Sequence, residues 1–204
     1  MTPPETIVEA HANESELVAR SQKGNVAAFN QLVILNQDVA YSVALRILGD
    51  PDAASDATQE AFISAFQSIG SLRGGSFRVW LLRIVTNACL DMLRSRKRHP
   101  SESLDDLLNP EDGAGGATDT SSETPEEHAL RVDLQAEVQR CLLKLPADQR
   151  IAVVLSDVHG LSYEEIAKVT KSELGTVKSR ISRGRAQMRD LLRQRELLPS
   201  TRRL

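Results

Sequence analysis

The sequence predicts an all-α protein: two small helical domains joined by a flexible acidic linker. Three observations carry that reading. Apolar residues recur at helical spacing through two long stretches, each broken by clear stop signals. Aromatics make up only 3% of the 204 residues, with 11 glycines and 8 prolines, so the cores must be built from Leu, Ile, Val and Ala. That composition suits helical bundles and not a turn-rich β fold. Between the two stretches lies SESLDDLLNPEDGAGGATDTSSETPEE, rich in Ser, Thr, Gly, Asp and Glu, with no helical period beyond a weak LDDLL. These features place a first domain over 14–98, the linker over 99–125 and a second domain over 126–195.

The first domain reads as four helices. NESELVARSQKGN offers Asn13 or Ser15 as an N-cap and Gly24 as a stop. Asn25 then caps a long helix ending near Gly49, with Phe29, Leu32, Val33, Val39, Ala40, Val43 and Ile47 on its apolar side. Asp50-Pro51 is an N-cap followed by proline in the first turn, opening a third helix that runs to about Ile69. SLRGGSF is a loop by composition. A fourth helix starts near Ser76 or Phe77 and runs toward Arg98, with Phe77, Trp80, Leu81, Ile84, Val85, Ala88 and Met92 as its predicted core face.

The second domain restarts near Pro125, and Pro146 opens another helix that His159-Gly160 ends. Ser162 and Glu165 have the spacing of a capping box, in which each side chain satisfies a backbone donor of the other. The last helix begins around Leu174. Ser172 is a good N-cap for the helix that follows.

Charge is distributed in blocks. Residues 1–72 hold 3 basic and 9 acidic side chains; 73–98 hold 7 and 1; 99–137 hold 1 and 11; 138–204 hold 14 and 7. Two basic blocks separated by an acidic one predict two modules that touch polyanions. A short helix, a turn and a basic second helix form the helix-turn-helix layout. Val177, Ile181, Gly184 and Met188 make its core stripe, and Ser179, Ser182, Arg183 and Ala186 lie opposite, flanked by Lys178, Arg185 and Arg189. Small residues let a helix approach a DNA groove closely, and Lys and Arg neutralise phosphates or read guanine edges. Thr176 and the amides of the first turn are placed for phosphate.

On the fourth helix, Arg83, Asn87, Leu90 and Arg94 recur on one side, next to the Gly-Ser loop, an arrangement suited to single-stranded nucleic acid. The third helix differs: Asp56, Gln59, Glu60 and Ile63 make an acidic face with one apolar residue, a protein-docking surface.

Catalytic and metal chemistry find no support in the residues. No glycine-rich phosphate loop or Ser/His/Asp grouping is visible, and Cys89 and Cys141 sit in apolar-periodic segments as buried thiols with no CxxC. His11, His99, His128 and His159 are scattered, and each is expected in solvent. No cofactor is implied and the chain is not expected to be an enzyme. The N-terminus lacks a signal-peptide core and no apolar run approaches the roughly 18 residues of a membrane helix, so a cytoplasmic location is expected. A stand-alone helix-turn-helix regulator explains the second domain but leaves the Asp56–Ile63 face and the Arg83–Arg94 stripe unused.

DATQEAFISAF, SFRVWLLRIVTNACLDMLRSRKR, and GLSYEEIA followed nine residues after its alanine by TVKSR together resemble bacterial RNA polymerase sigma factors of the extracytoplasmic-function (ECF) type, in the sigma-70 family. The resemblance covers about 14–98 and 126–195. It implies that Asp56, Gln59, Glu60 and Phe62, with Ile63 beside them, dock on the clamp helices of core polymerase. It implies that the loop Arg73, Gly74, Gly75, Ser76 and Phe77, with Arg83, Asn87 and Arg94, melts the minus-ten promoter element and traps an unstacked base. It assigns Thr176, Lys178, Ser179, Arg180, Ser182, Arg183 and Arg185 to the minus-thirty-five element in duplex form. It also implies a linker threading toward the polymerase active-centre cleft, and an anti-sigma factor as a further partner. Two departures stand out: RGGSF is one residue shorter than the family's Arg-Gly-x-Ser-x-Phe, and Lys171-Ser172 replaces the usual glycine and apolar residue in the turn.

Overall fold

The computed structural model describes residues 5–98, 124–195 and 197. The predicted linker, including its proposed threading, therefore lies outside the described residues apart from Thr124 and Pro125. The described residues form helices α1 (Glu5–Gln22), α2 (Val26–Leu48), α3 (Pro51–Ser68), α4 (Phe77–Arg98), α5 (Pro125–Leu143), α6 (Ala147–Val153), α7 (Tyr163–Thr170) and α8 (Leu174–Gln194). Short 3-10 and π turns at Ile69–Ser71 and Val154–Val158 complete the regular structure, with no strand among the described residues.

Most boundaries sit where the sequence chemistry puts them. Asn25 accepts a hydrogen bond from the Ala28 amide, and Gly49 takes φ 77° to end α2. Asp50 accepts from the amides of Asp52 and Ala53 ahead of Pro51. Ser162 and Glu165 form the reciprocal capping box. The same device opens α5, where Thr124 and Glu127 exchange bonds. One boundary moves: α1 begins at Glu5, so Asn13 and Ser15 lie inside the helix and not at its start. A second correction concerns Ser172. The N-cap of α8 is Glu173, which makes no side-chain cap bond. Ser172 instead donates to the Thr170 carbonyl and accepts from Arg180 Nη1 at 2.7 Å.

α3 buries only alanines fully, Ala53, Ala54, Ala57, Ala61 and Ala65, with Phe62 packed beside them half-buried. Small side chains bring its backbone close to α2 and α4 and leave its large residues outward. α4 is packed on two sides, by α2 and α3 and also by α7. Phe77, Leu81 and Val85 are buried as the periodicity predicts, but Trp80, Ile84, Ala88 and Met92 are only half-buried. A second stripe, Leu82, Thr86 and Cys89, is buried instead. Amphipathic periodicity marks one stripe of a helix, and α4 has two because the second half of the chain packs beside it.

That packing joins the halves. One hydrophobic cluster runs from Leu17 through Cys89 to Ile151, Leu161, Ile166, Val177 and Ile181. Gln139 of α5 donates to the Leu45 carbonyl of α2 at 3.0 Å. Gly49 faces Leu143 so closely that a Cβ there would lie 2.5 Å from the leucine Cδ2. Cys89 and Cys141 are both buried free thiols, and burial pushes the Cys89 thiol up to about 12.

His159 corrects the expectation that the histidines are solvated. It is half-buried at this seam, and its Nε2 has no hydrogen-bond partner. Burial, with Arg78 of α4 and Arg46 of α2 facing it, lowers its pKa to about 4. His159 is thus neutral when folded and takes up a proton more readily when unfolded. Its contribution to stability is complete above about pH 6.5 and is lost as pH falls toward about 4. The urea midpoint should therefore fall across that window, and a His159→Gln variant should show a shallower fall than the parent. Equal slopes would contradict this account.

Candidate nucleic-acid and polymerase interface

The candidate stripe on α3 is exposed, as its spacing implies. Asp56, Gln59, Glu60 and Ile63 are exposed, with Ile63 at 53% of its free surface, while Phe62 is half-buried against the core. Phe66 continues the stripe one turn on, 46% exposed and edge-on to Phe29 with ring centroids 5.0 Å apart. Sequence reasoning missed Phe66, although it follows Ile63 at i+3.

The loop between α3 and α4 is held from beneath by α1. Gln22 Nε2 donates to the carbonyls of Ile69 and Leu72 at 3.1 and 2.9 Å. Glu14 Oε1 accepts from the Phe77 amide at 2.9 Å, so a carboxylate from another helix caps the positive end of α4. Between these anchors, Arg73, Gly74 and Gly75 are exposed and Ser76 is half-buried. Gly74 and Gly75 take φ 67° and 80°, and a Cβ at either would meet nothing within 4 Å. Conformation, not space, is what selects glycine there. Phe77 is corrected: it is fully buried, with its ring 5.8 Å from that of Trp80, and it anchors the loop where a base contact was expected.

Arg83 and Arg94 are exposed and Asn87 is half-buried. Arg94 pairs with Asp91 at 2.8 Å in a fully solvated geometry, which is weak and leaves the guanidinium available. Arg96 does structural work by pairing with the α3 N-cap, Asp50, at 2.7 Å.

α8 sorts the minus-thirty-five candidates into two classes. Thr176, Lys178, Ser182 and Arg183 are exposed and Ser179 is half-exposed, with Gly175, Ala186 and Arg189 on the same outer face. Arg180, half-buried, and Arg185, exposed, lie off that face, about 70° to either side of the buried Val177, Ile181 and Gly184 stripe at 100° per residue. Arg180 pairs with Asp148 at 2.7 Å as well as with Ser172. Arg185 Nε donates to Asp157 Oδ2 at 2.9 Å and its Nη2 to Oδ1 at 2.5 Å, with longer bonds to Ser156 and Tyr163. The Arg185 fork holds the Asp157 carboxyl below its usual range. The sequence named these two arginines for their charge, but their partners were out of reach of a single-helix projection.

Lys171 is the one non-glycine at positive φ among the described residues, at φ 50° and ψ 44°, as its place in the turn implies. Lys171→Gly should raise stability by about 0.5–1 kcal/mol, a gain of about 2–4 °C per kcal/mol in thermal midpoint. An unchanged midpoint would mean the turn carries no strain.

Comparisons with known proteins identify the family. The sequence pattern of the family described as Sigma-70 region 2 matches residues 32–99, and that of Sigma-70, region 4 matches residues 135–188. The chain is similar to the RNA polymerase sigma-H factor of Pseudomonas aeruginosa, 38% identical over 173 residues, covering 84% of this chain and 90% of that protein. It is 39% identical over 170 residues to the ECF RNA polymerase sigma-E factor of Escherichia coli K12, covering 83% of this chain and 88% of the relative. In fold it matches the sigma factor RpoE of Bartonella quintana, solved in complex with the anti-sigma factor NepR, with a TM-score of 0.62 and 28% identity over 81% of this chain and 96% of that one. With both region matches on one chain and relatives 38% and 39% identical over more than four-fifths of it, the chain belongs to the sigma-70 family, among the ECF RNA polymerase sigma factors.

Proposed function

We infer that this protein binds core RNA polymerase through α3, engages the minus-ten element with the Arg73–Ser76 loop and the Arg83, Asn87 and Arg94 face, and reads the minus-thirty-five element with the outer face of α8. The observation that carries the reading is the presence on one chain of three separate exposed surfaces, each with different chemistry. An acidic and apolar stripe suits a protein partner. A glycine loop beside cations suits an unstacked strand. A helix with a small-residue centre and cationic flanks suits a major groove. The stand-alone regulator leaves the first two without a role. The polymerase performs the chemistry, so the protein itself needs no catalytic group, and it acts in the cytoplasm where polymerase and promoters are. By analogy with its relative, we expect an anti-sigma factor as a further partner.

Both promoter elements cannot be bound with the seam closed. They lie about 25 base pairs apart, or about 85 Å at about 3.4 Å per pair. A compact chain of this size has a radius of gyration of about 17 Å. The 25 residues between Arg98 and Thr124 can reach about 85 Å when extended, enough for the halves to part. Footprinting of the polymerase complex on a promoter it initiates from tests the reading. Protection of two separated upstream patches is expected, and protection of a symmetric pair of half-sites by the protein alone would favour the regulator.

A further inference from the structure

We propose that Asp148 and Asp157 are positioning residues for minus-thirty-five recognition: through Arg180 and Arg185 they set the rotation of α8 about its own axis, and neither arginine reads DNA. The proposal rests on the promoter reading above and deepens it.

The geometry is that of one close contact with a restraint on each side. At Gly184 α8 lies so near α6 that an added Cβ would sit 2.6 Å from Val153 Cγ2 and 3.3 Å from the Gln149 carbonyl oxygen. That contact fixes the distance between the helices, the buried Val177 and Ile181 seat the stripe, and the flanking pairs add the restraint on rotation. Arg180 on one flank reaches Asp148 in the first turn of α6, and Arg185 on the other reaches Asp157 beyond its end. The two arginines are five residues apart and straddle the core stripe, so rolling α8 either way stretches one pair or the other. The Asp157 pair is a two-point fork, which restrains direction as well as distance.

Asp157 is delivered by an irregular turn. From Val154 to Val158 the backbone opens into a π turn, with the His159 amide bonding to the Val154 carbonyl at 3.2 Å. The wider turn re-aims Ser156 and Asp157, and both carry hydrogen bonds from Arg185. With Arg180 and Arg185 on the flanks, the groove-facing set reduces to Thr176, Lys178, Ser179, Ser182, Arg183 and Arg189.

Rotation matters because base edges are read at hydrogen-bond tolerance, and a helix turned by a few degrees moves a long side chain by about an ångström. The test uses the protein bound to core polymerase and a promoter fragment recovered from transcription, compared with the same fragment carrying a replaced minus-thirty-five element. Asp157→Ala, Asp157→Glu, Arg185→Ala and Arg183→Ala are measured for discrimination between the two fragments and for salt dependence. Asp157→Ala and Arg185→Ala are expected to lower discrimination about five- to tenfold, and Asp157→Glu to restore most of it. Arg185→Ala should leave the log–log salt slope unchanged, whereas Arg183→Ala should reduce it by about 0.9, one phosphate contact. If Arg185→Ala lowers the slope by that amount while Asp157→Ala keeps full discrimination, Arg185 is a phosphate ligand and the proposal is wrong. Lower thermal stability with unchanged discrimination overturns it equally. Absence of discrimination in the unsubstituted protein would instead overturn the promoter reading beneath it.

Discussion

A Glu60→Arg, Ile63→Ala double variant should bind core RNA polymerase about a hundredfold more weakly, with little change in its own stability. Both side chains lie on the outer face of α3, while the helix is held to the bundle by alanines on the other face. The substitutions therefore leave the packing of the free protein untouched. An exposed Ile63 flanked by carboxylates has the make-up of a binding hot spot, an apolar anchor with charges that orient the partner. Losing an anchor and reversing a charge should together cost about 2.7 kcal/mol, which is about two decades in affinity. Titration of labelled protein with core polymerase measures this directly. Binding within about twofold of the parent would remove α3 as the docking element.

The second large effect is on the minus-ten loop. Phe77→Ala should destabilise the protein by about 3–5 kcal/mol, because the ring is fully buried and its removal leaves a cavity. Phe77 also sets where α4 begins, and its amide is the one that Glu14 caps. Loss of the ring should free the Arg73–Ser76 loop from its anchor and reduce promoter melting even at temperatures where the fold survives. Urea unfolding gives the first quantity, and permanganate reactivity of the minus-ten thymines gives the second. Glu14→Ala separates the two effects: it releases the α4 end without a cavity, and a melting defect with a small stability loss is expected. A full stability loss with normal melting in the folded fraction would contradict a positioning role for this anchor.

Local chemistry made most of the fold legible. Asn25, Gly49, Asp50-Pro51 and the Ser162–Glu165 pair act through bonds within a few residues, so spacing alone locates them. What stayed hidden depends on contacts between distant segments. The second buried stripe of α4, the buried Arg150 and the half-buried His159 all follow from the halves packing together, which no periodicity encodes. Arg150 donates to the Leu143 carbonyl from a site only 6% exposed. The candidate site divides in the same way. The α3 stripe and the outer face of α8 are surface features of single helices and were readable from spacing. Arg180 and Arg185 carried the right residue type, but their placement is decided by Asp148 and Asp157, far along the chain.

The most direct test of the central claim is transcription in vitro with bacterial core RNA polymerase and a library of genomic fragments, with and without this protein. The account predicts discrete new start sites only when the protein is present, sharing two sequence elements centred near minus ten and minus thirty-five. No new start sites, together with tight binding of the protein alone to duplex DNA, would contradict it and leave the α3 stripe as ordinary surface.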